Sequence, residues 1–128
     1  AHDVVLVEGA GGLLVELDTR GGTVADLGIA LRYLGIGVGV VIVAAPGLGT
    51  LNHTALTVEA LRARSLPIVG VVVGSGPQGP DEPDLAMREN LADLPRVAGV
   101  PLLGVLPDGA GSLAPADFQV AALEWLAV

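Results

Sequence analysis

Val4-Val5-Leu6-Val7-Glu8-Gly9-Ala10-Gly11-Gly12 is the stretch around which the chain is organised. Its apolar run, mostly valine, predicts a buried parallel strand. The run ends on a carboxylate and then on a turn built of glycine. In open α/β sheets, ligands lie beyond the carboxyl ends of the strands. Glu8 therefore stands where a metal ligand or a catalytic carboxylate is expected, and the glycines after it let backbone come close to a ligand. An acidic strand end followed by a tight turn is the plainer alternative, and the stretch alone supports both about equally.

Working outward, strand and helix signals alternate. Thr23 or Asp26 caps a predicted helix that runs to about Gly35 and puts Leu27, Ala30, Leu31 and Leu34 on one face. Val38 to Ala44 reads as a second buried strand, loosened at its start by Gly35, Gly37 and Gly39 and ended by Pro46-Gly47. Helical spacing returns over Leu51–Arg64, and Ile68–Val73 is a third strand that runs into a Gly/Pro loop at 74–80. Asp84 caps a predicted helix to about Leu94, Leu102–Leu106 is a fourth strand, and a last helix from about Ala114 carries Phe118, Ala122, Trp125 and Leu126. Alternation at this spacing implies one α/β domain over 1–128, a three-layer parallel sheet with flanking helices and right-handed crossovers. Loops 8–12, 44–50, 74–80 and 106–112 then share the carboxyl edge of the sheet.

Composition narrows the function. The chain of 128 residues is 52% hydrophobic, with a mean hydropathy of +0.69, yet no uninterrupted apolar run reaches the ~18 residues of a membrane span. Ala1-His2-Asp3 lacks the cationic start of a signal peptide, and with no cysteine to form disulfides or thiolate metal sites a cytoplasmic protein is expected. Fourteen acidic residues outweigh six basic ones for a net charge of −8, which argues against nucleic acid or an anionic membrane as a partner. All the basic residues are arginine, so the chain has no lysine to serve as the phosphate-binding residue of a P-loop.

Pro46-Gly47-Leu48-Gly49-Thr50-Leu51-Asn52-His53 is the second constellation. A strand leads through glycines into a helix N-terminus, where free N–H groups and the dipole favour an anion. Thr50 is the expected N-cap, and Asn52 in the first turn is placed to hydrogen-bond a carboxylate or phosphate. An ordinary strand–helix turn is the plainer reading, and His53 reads as packed or solvent-facing rather than as a base. Asp81, Glu82 and Asp84 read as a solvated acidic face, and no spacing fixes Glu8 and Glu16 as a pair.

Val-Glu-Gly-Ala-Gly-Gly at 7–12, followed by Leu-Gly-Thr-Leu-Asn-His at 48–53, resembles the dethiobiotin synthetases. The likeness continues in Leu-Thr-Val-Glu-Ala-Leu-Arg at 56–62, the strand at 68–73 and Pro-Leu-Leu-Gly-Val-Leu-Pro at 101–107, in the family's order and over nearly the whole chain. It covers the C-terminal part of a P-loop NTPase-like domain. The family's Gly-Lys-Thr P-loop, its second lysine and another acidic metal ligand have no counterpart in these residues. A fragment, a degenerate relative, or a chain completed by a partner are the expectations that follow.

The resemblance implies an ATP-dependent cyclo-ligase of biotin biosynthesis that converts 7,8-diaminopelargonate and CO2 to dethiobiotin with Mg-ATP. Under it Glu8 is a Mg2+ ligand, and the backbone of Gly9, Ala10 and Gly11 lies beside the phosphates. Leu48, Gly49, Thr50 and Asn52 hold the substrate carboxylate in a site completed across a homodimer interface. Gly74, Ser75, Leu106, Pro107 and Asp108 border the nucleotide base. Many family members carry Asn at the position of Gly74, so the resemblance leaves room here for a nucleoside triphosphate other than ATP. No catalytic residue is assigned within the chain. The alternatives are a related P-loop ATPase or amidoligase-type domain, and a non-catalytic dimerisation or binding module.

Overall fold

Valine-rich runs separated by helices of a dozen or so residues pair in parallel, because each crossover returns the chain to the same end of the sheet. The computed structural model describes residues 2–76 and 85–127 and shows this arrangement. In chain order its elements are α1 (Val24–Tyr33), β1 (Val40–Ala44), α2 (Thr50–Ala63), β2 (Ile68–Gly76), α3 (Leu85–Ala98), β3 (Leu102–Pro107), a 3-10 turn at Ala110–Ser112, and α4 (Pro115–Trp125). The strands form one parallel sheet in the order β1-β2-β3, with Ile42 beside Val71 and Val73 beside Val105. This is the α/β class that the alternation predicted.

The core lies between one face of the sheet and helices α2 and α3. Ile42, Ala44, Val71 and Val73 meet Val58 and Leu61 of α2, and Leu94 and Ala98 of α3. Each leucine or valine fully withdrawn from water contributes about 2 kcal/mol. Val41 and Val43 alternate with Ile42 and Ala44 and so face the other way, where they are 46% and 70% exposed. α4 packs against β3, and Ala127 donates its N–H to the Leu103 carbonyl at 2.7 Å. Trp125 meets Phe118 edge-on at 5.8 Å, the structural role expected of it.

The opening stretch departs from expectation. Val4, Val5, Leu6 and Val7 form no strand and are 77%, 70%, 93% and 58% exposed. A strand exists only where a neighbour takes up its N–H and C=O groups, and none of the described strands lies alongside this segment. The chain first joins the core rim at Leu13.

Other boundaries shift for local reasons. β1 begins at Val40 rather than Val38, after the loosening glycines, where the Val40 N–H reaches the Pro67 carbonyl at 2.9 Å. β2 continues to Gly76 because the Asp108 N–H donates to the Gly76 carbonyl at 2.7 Å, keeping β3 alongside. α3 passes its expected end at Leu94 and carries Pro95 inside it. At the start of α1, both candidate caps take part. Thr23 Oγ accepts from the Asp26 N–H at 3.2 Å, and the Asp26 carboxylate accepts from the Thr23 N–H at 2.9 Å. The expected cap at Asp84, the acidic run at 81–84 and loop positions 77–80 lie outside the described residues.

Candidate functional site

β1 ends at Ala44, and five residues on, Gly49 turns the chain into α2 with φ 91°. That left-handed conformation favours glycine. Gly49, not Thr50, is therefore the N-cap, and no side chain caps the helix. Thr50 is instead the first helical residue, only 4% exposed, with Thr54 buried one turn on. The Thr50 N–H donates to the Gly47 carbonyl at 3.3 Å, and the His53 N–H donates to the Gly49 carbonyl at 3.0 Å. The amides of Leu51 and Asn52 fall before that first helical bond, so the helix offers them no acceptor. An uncapped N-terminus with outward amides attracts a carboxylate or a phosphate.

Side chains frame this end of the helix. Asn52 and His53 are exposed in the first turn, and Leu48 at the lip is 100% exposed. A cavity of about 190 Å³ opens among Ala44, Leu48, Thr50, His53, Thr54 and Thr57. A second groove of about 350 Å³ runs between Gly11–Val15 and Leu56, Thr57 and Ala60 of α2. Thr57 borders both, so the segment after Gly11 lies along the helix whose N-terminus is left uncapped.

Asn90 escaped sequence reasoning. From α3, half-buried, its side-chain amide donates to the carbonyls of Pro46 at 3.0 Å and Gly47 at 3.1 Å. An asparagine midway along a predicted helix carries no local signal of a contact more than 40 residues away in sequence.

The expected nucleotide-border residues come together. Ser75 Oγ donates to Asp108 Oδ1 at 2.8 Å. With the bond from the Asp108 N–H to the Gly76 carbonyl, this ties the end of β2 to the turn after β3. Pro107, the last residue of β3, is buried, Leu106 and Gly74 are half-buried, and Asp108 faces solvent. Gly74 offers backbone alone.

Glu8 is not drawn into this assembly. It is exposed and makes no hydrogen bond or ion pair with another described residue, and Ala10 is also exposed. Gly9 lies against Val24 at the start of α1, and Gly11 against Val15. Among the described residues, no group of three or more histidines, aspartates or glutamates converges as a metal site. No described helix is long and apolar enough to cross a membrane.

A parallel sheet whose carboxyl edge carries an open helix N-terminus and a second, cross-linked pair of chain segments defines an α/β fold. Residues 1–115 match the family model of the AAA domain, and the chain belongs to that family. The expected resemblance to dethiobiotin synthetases is also found. The ATP-dependent dethiobiotin synthetase BioD of Streptomyces coelicolor is 56% identical over 126 residues, 98% of this chain and 50% of that protein. Its namesake in Saccharopolyspora erythraea is 60% identical over 111 residues, 87% of this chain and 46% of that one. The Mycobacteroides abscessus protein of the same name is 48% identical over 121 residues, 94% and 50% of the two chains. The chain spans about half the length of the curated relatives it matches.

Proposed function

We propose that these residues form part of a dethiobiotin synthetase, a ligase of biotin biosynthesis that closes the ureido ring of dethiobiotin from 7,8-diaminopelargonate, CO2 and ATP. The observation that carries this reading is the uncapped N-terminus of α2, with Gly49 at φ 91° and the Leu51 and Asn52 amides without helical acceptors. It suits the substrate's carboxylate, which would sit against the loop Leu48, Gly49 and Thr50, with the Leu51 and Asn52 amides and the Asn52 side chain as donors. Holding that remote group leaves the two amines free to react at the far end of the molecule.

In the proposed reaction one amine adds CO2 to give a carbamate. A carbamate oxygen then takes the γ-phosphoryl group of ATP, and ADP leaves. The neighbouring amine attacks the activated carbonyl carbon, phosphate departs with the C–O bond, and the ring closes. Phosphoryl transfer of this kind is catalysed mostly by positioning and by charge stabilisation. Magnesium would neutralise phosphate charge. Glu8, a lone exposed carboxylate, fits an ion that usually takes one or two protein carboxylates and fills its shell with water and phosphate oxygens. Gly9, Ala10 and Gly11 would lie beside the phosphates, and Gly74, Ser75, Leu106, Pro107 and Asp108 beside the base. The phosphate-binding lysine would come from outside these 128 residues, which contain none. A homodimer is supported by Leu48, wholly exposed at the lip of the carboxylate loop, and a cytoplasmic location completes the proposal.

The test is an assay of the full-length protein for dethiobiotin by mass spectrometry, with diaminopelargonate, bicarbonate and Mg-ATP. Product is expected, and Asn52→Ala should raise KM for diaminopelargonate about tenfold, the equivalent of one charge-assisted hydrogen bond. Nucleotide hydrolysis that ignores diaminopelargonate would favour a related ATPase or amidoligase. A folded dimer with no nucleotide affinity would make this a binding module. Because Gly74 has no amide side chain to read adenine, CTP and GTP belong in the same assay.

A further inference from the structure

We infer that Asn90 is a positioning residue that sets the carboxylate-binding loop from a different element of the fold, an inference that rests on the proposed role of that loop. The Asn90 side-chain amide presents two N–H groups, and these meet the carbonyls of two consecutive residues, Pro46 at 3.0 Å and Gly47 at 3.1 Å. Only the NH2 end of an asparagine can face two carbonyls, so the chemistry fixes which way the amide points. A planar group with two bonds to one short stretch of backbone constrains its rotation as well as its position. Gly47 is also the acceptor for the Thr50 N–H, a long bond at 3.3 Å. Asn90 thus holds the carbonyl that closes the turn into α2, two residues before the N-cap.

α3 is well placed to be the fixed side of this contact. Leu94, one turn on from Asn90, is wholly buried, and Leu91 packs against the core. The loop itself spans 45–49 between β1 and α2 and ends in an exposed Leu48 and a left-handed Gly49. Asn90 ties the middle of this loop, at Pro46 and Gly47, to α3. Asn90 bonds to backbone and is not among the residues lining the cavity at the helix end. Its effect is therefore on how well the Leu51 and Asn52 amides are aimed, not on the reacting groups.

The experiment compares Asn90→Ala and Asn90→Asp with wild type in the full-length protein. It measures KM for diaminopelargonate, KM for ATP, kcat, melting temperature and amide hydrogen exchange at Gly49, Leu51 and Asn52. Asn90→Ala should raise KM for diaminopelargonate about fivefold to tenfold, leave kcat and KM for ATP within about twofold, and speed exchange in the loop. Asn90→Asp keeps the shape but turns a carboxylate toward two carbonyls, so its effect should exceed that of alanine. An unchanged KM for diaminopelargonate in both variants overturns the inference. So does a parallel loss in kcat and both KM values that tracks a fall in melting temperature. If wild type makes no dethiobiotin, the proposed function fails, and exchange then decides separately. Faster exchange confined to 46–52 in Asn90→Ala supports the tie, and unchanged exchange overturns it.

Discussion

Val4-Val5-Leu6-Val7 and Val71-Val72-Val73 are nearly the same chemistry with opposite outcomes. The first is 58% to 93% exposed and pairs with nothing described, while the second is 0%, 8% and 0% exposed in the central strand. Both runs have the side chains of a buried parallel strand. Only the second has β1 and β3 on either side to take up its backbone groups and α2 and α3 to cover its core face. An apolar run therefore encodes readiness to be a strand, and the neighbours decide whether it becomes one.

The largest effect expected from this contrast comes from placing a charge at each end of it. Within the 128 residues, Val73→Asp puts a carboxylate into a site with no partner, at a cost of several kcal/mol against a total stability of about 5–15 kcal/mol. The cooperative thermal transition seen by circular dichroism should disappear. Val5→Asp, at a position 70% exposed, should stay within about 0.5 kcal/mol of wild type. Equal losses would break the comparison and show the opening segment to be covered. Repeating the pair in the full-length protein sharpens it, because a cost at Val5 that emerges only there would identify chain outside these residues as the missing neighbour.

What was legible in the sequence follows the same division. β1, β2, β3 and α2 could be read because each is set by its own residues, valine runs bounded by Gly and Pro and an apolar stripe at helical spacing. That β1, β2 and β3 all end on one carboxyl edge, at Ala44, Gly76 and Pro107, followed from their alternation with helices. Thr50 was misassigned because the N-cap depends on a backbone angle, the positive φ of Gly49, that a threonine beside it conceals. The Ser75–Asp108 hydrogen bond spans 33 residues of sequence, and the two from Asn90 span 44 and 43. Such pairings depend on strand register and helix rotation, and local composition is silent on both.

A smaller effect is expected where the N-terminal third is ordered by its own side chains. Thr23 and Asp26 cap α1 reciprocally and need no strand neighbour. Thr23→Ala should cost about 1 kcal/mol, and Thr23→Ser should recover most of it. Denaturant melts would read both. If alanine at Thr23 costs nothing, α1 is held by packing alone, and the picture of a locally organised N-terminal region fails.

The smallest effect separates the two regions by pH. Asp18 accepts the backbone N–H groups of Gly22 at 3.0 Å and Arg20 at 2.8 Å, and these bonds hold its carboxyl below the ordinary aspartate value. The Thr23 hydroxyl and then the Thr23 N–H do the same for Asp26. A carboxylate whose folded pKa is depressed stabilises the fold above its unfolded pKa of about 3.9, and that contribution is lost as pH falls through the lower folded value. Both groups are exposed, so the loss is local and modest. The valines of β2 have nothing to titrate. On acidification from pH 6 toward pH 3 (an interval of about three units that spans the carboxylate range), the protection of the Gly22 and Asp26 amides, taken as exchange relative to the unfolded chain at the same pH, should fall before that of Val71 and Val73. In the Asp18→Asn, Asp26→Asn double variant, that early phase should be absent, and its stability should converge on wild type at the acid end. If the turn at 18–22 and the central strand loosen together, the N-terminal region is not an independent unit, and the contrast between the two valine runs concerns exposure alone.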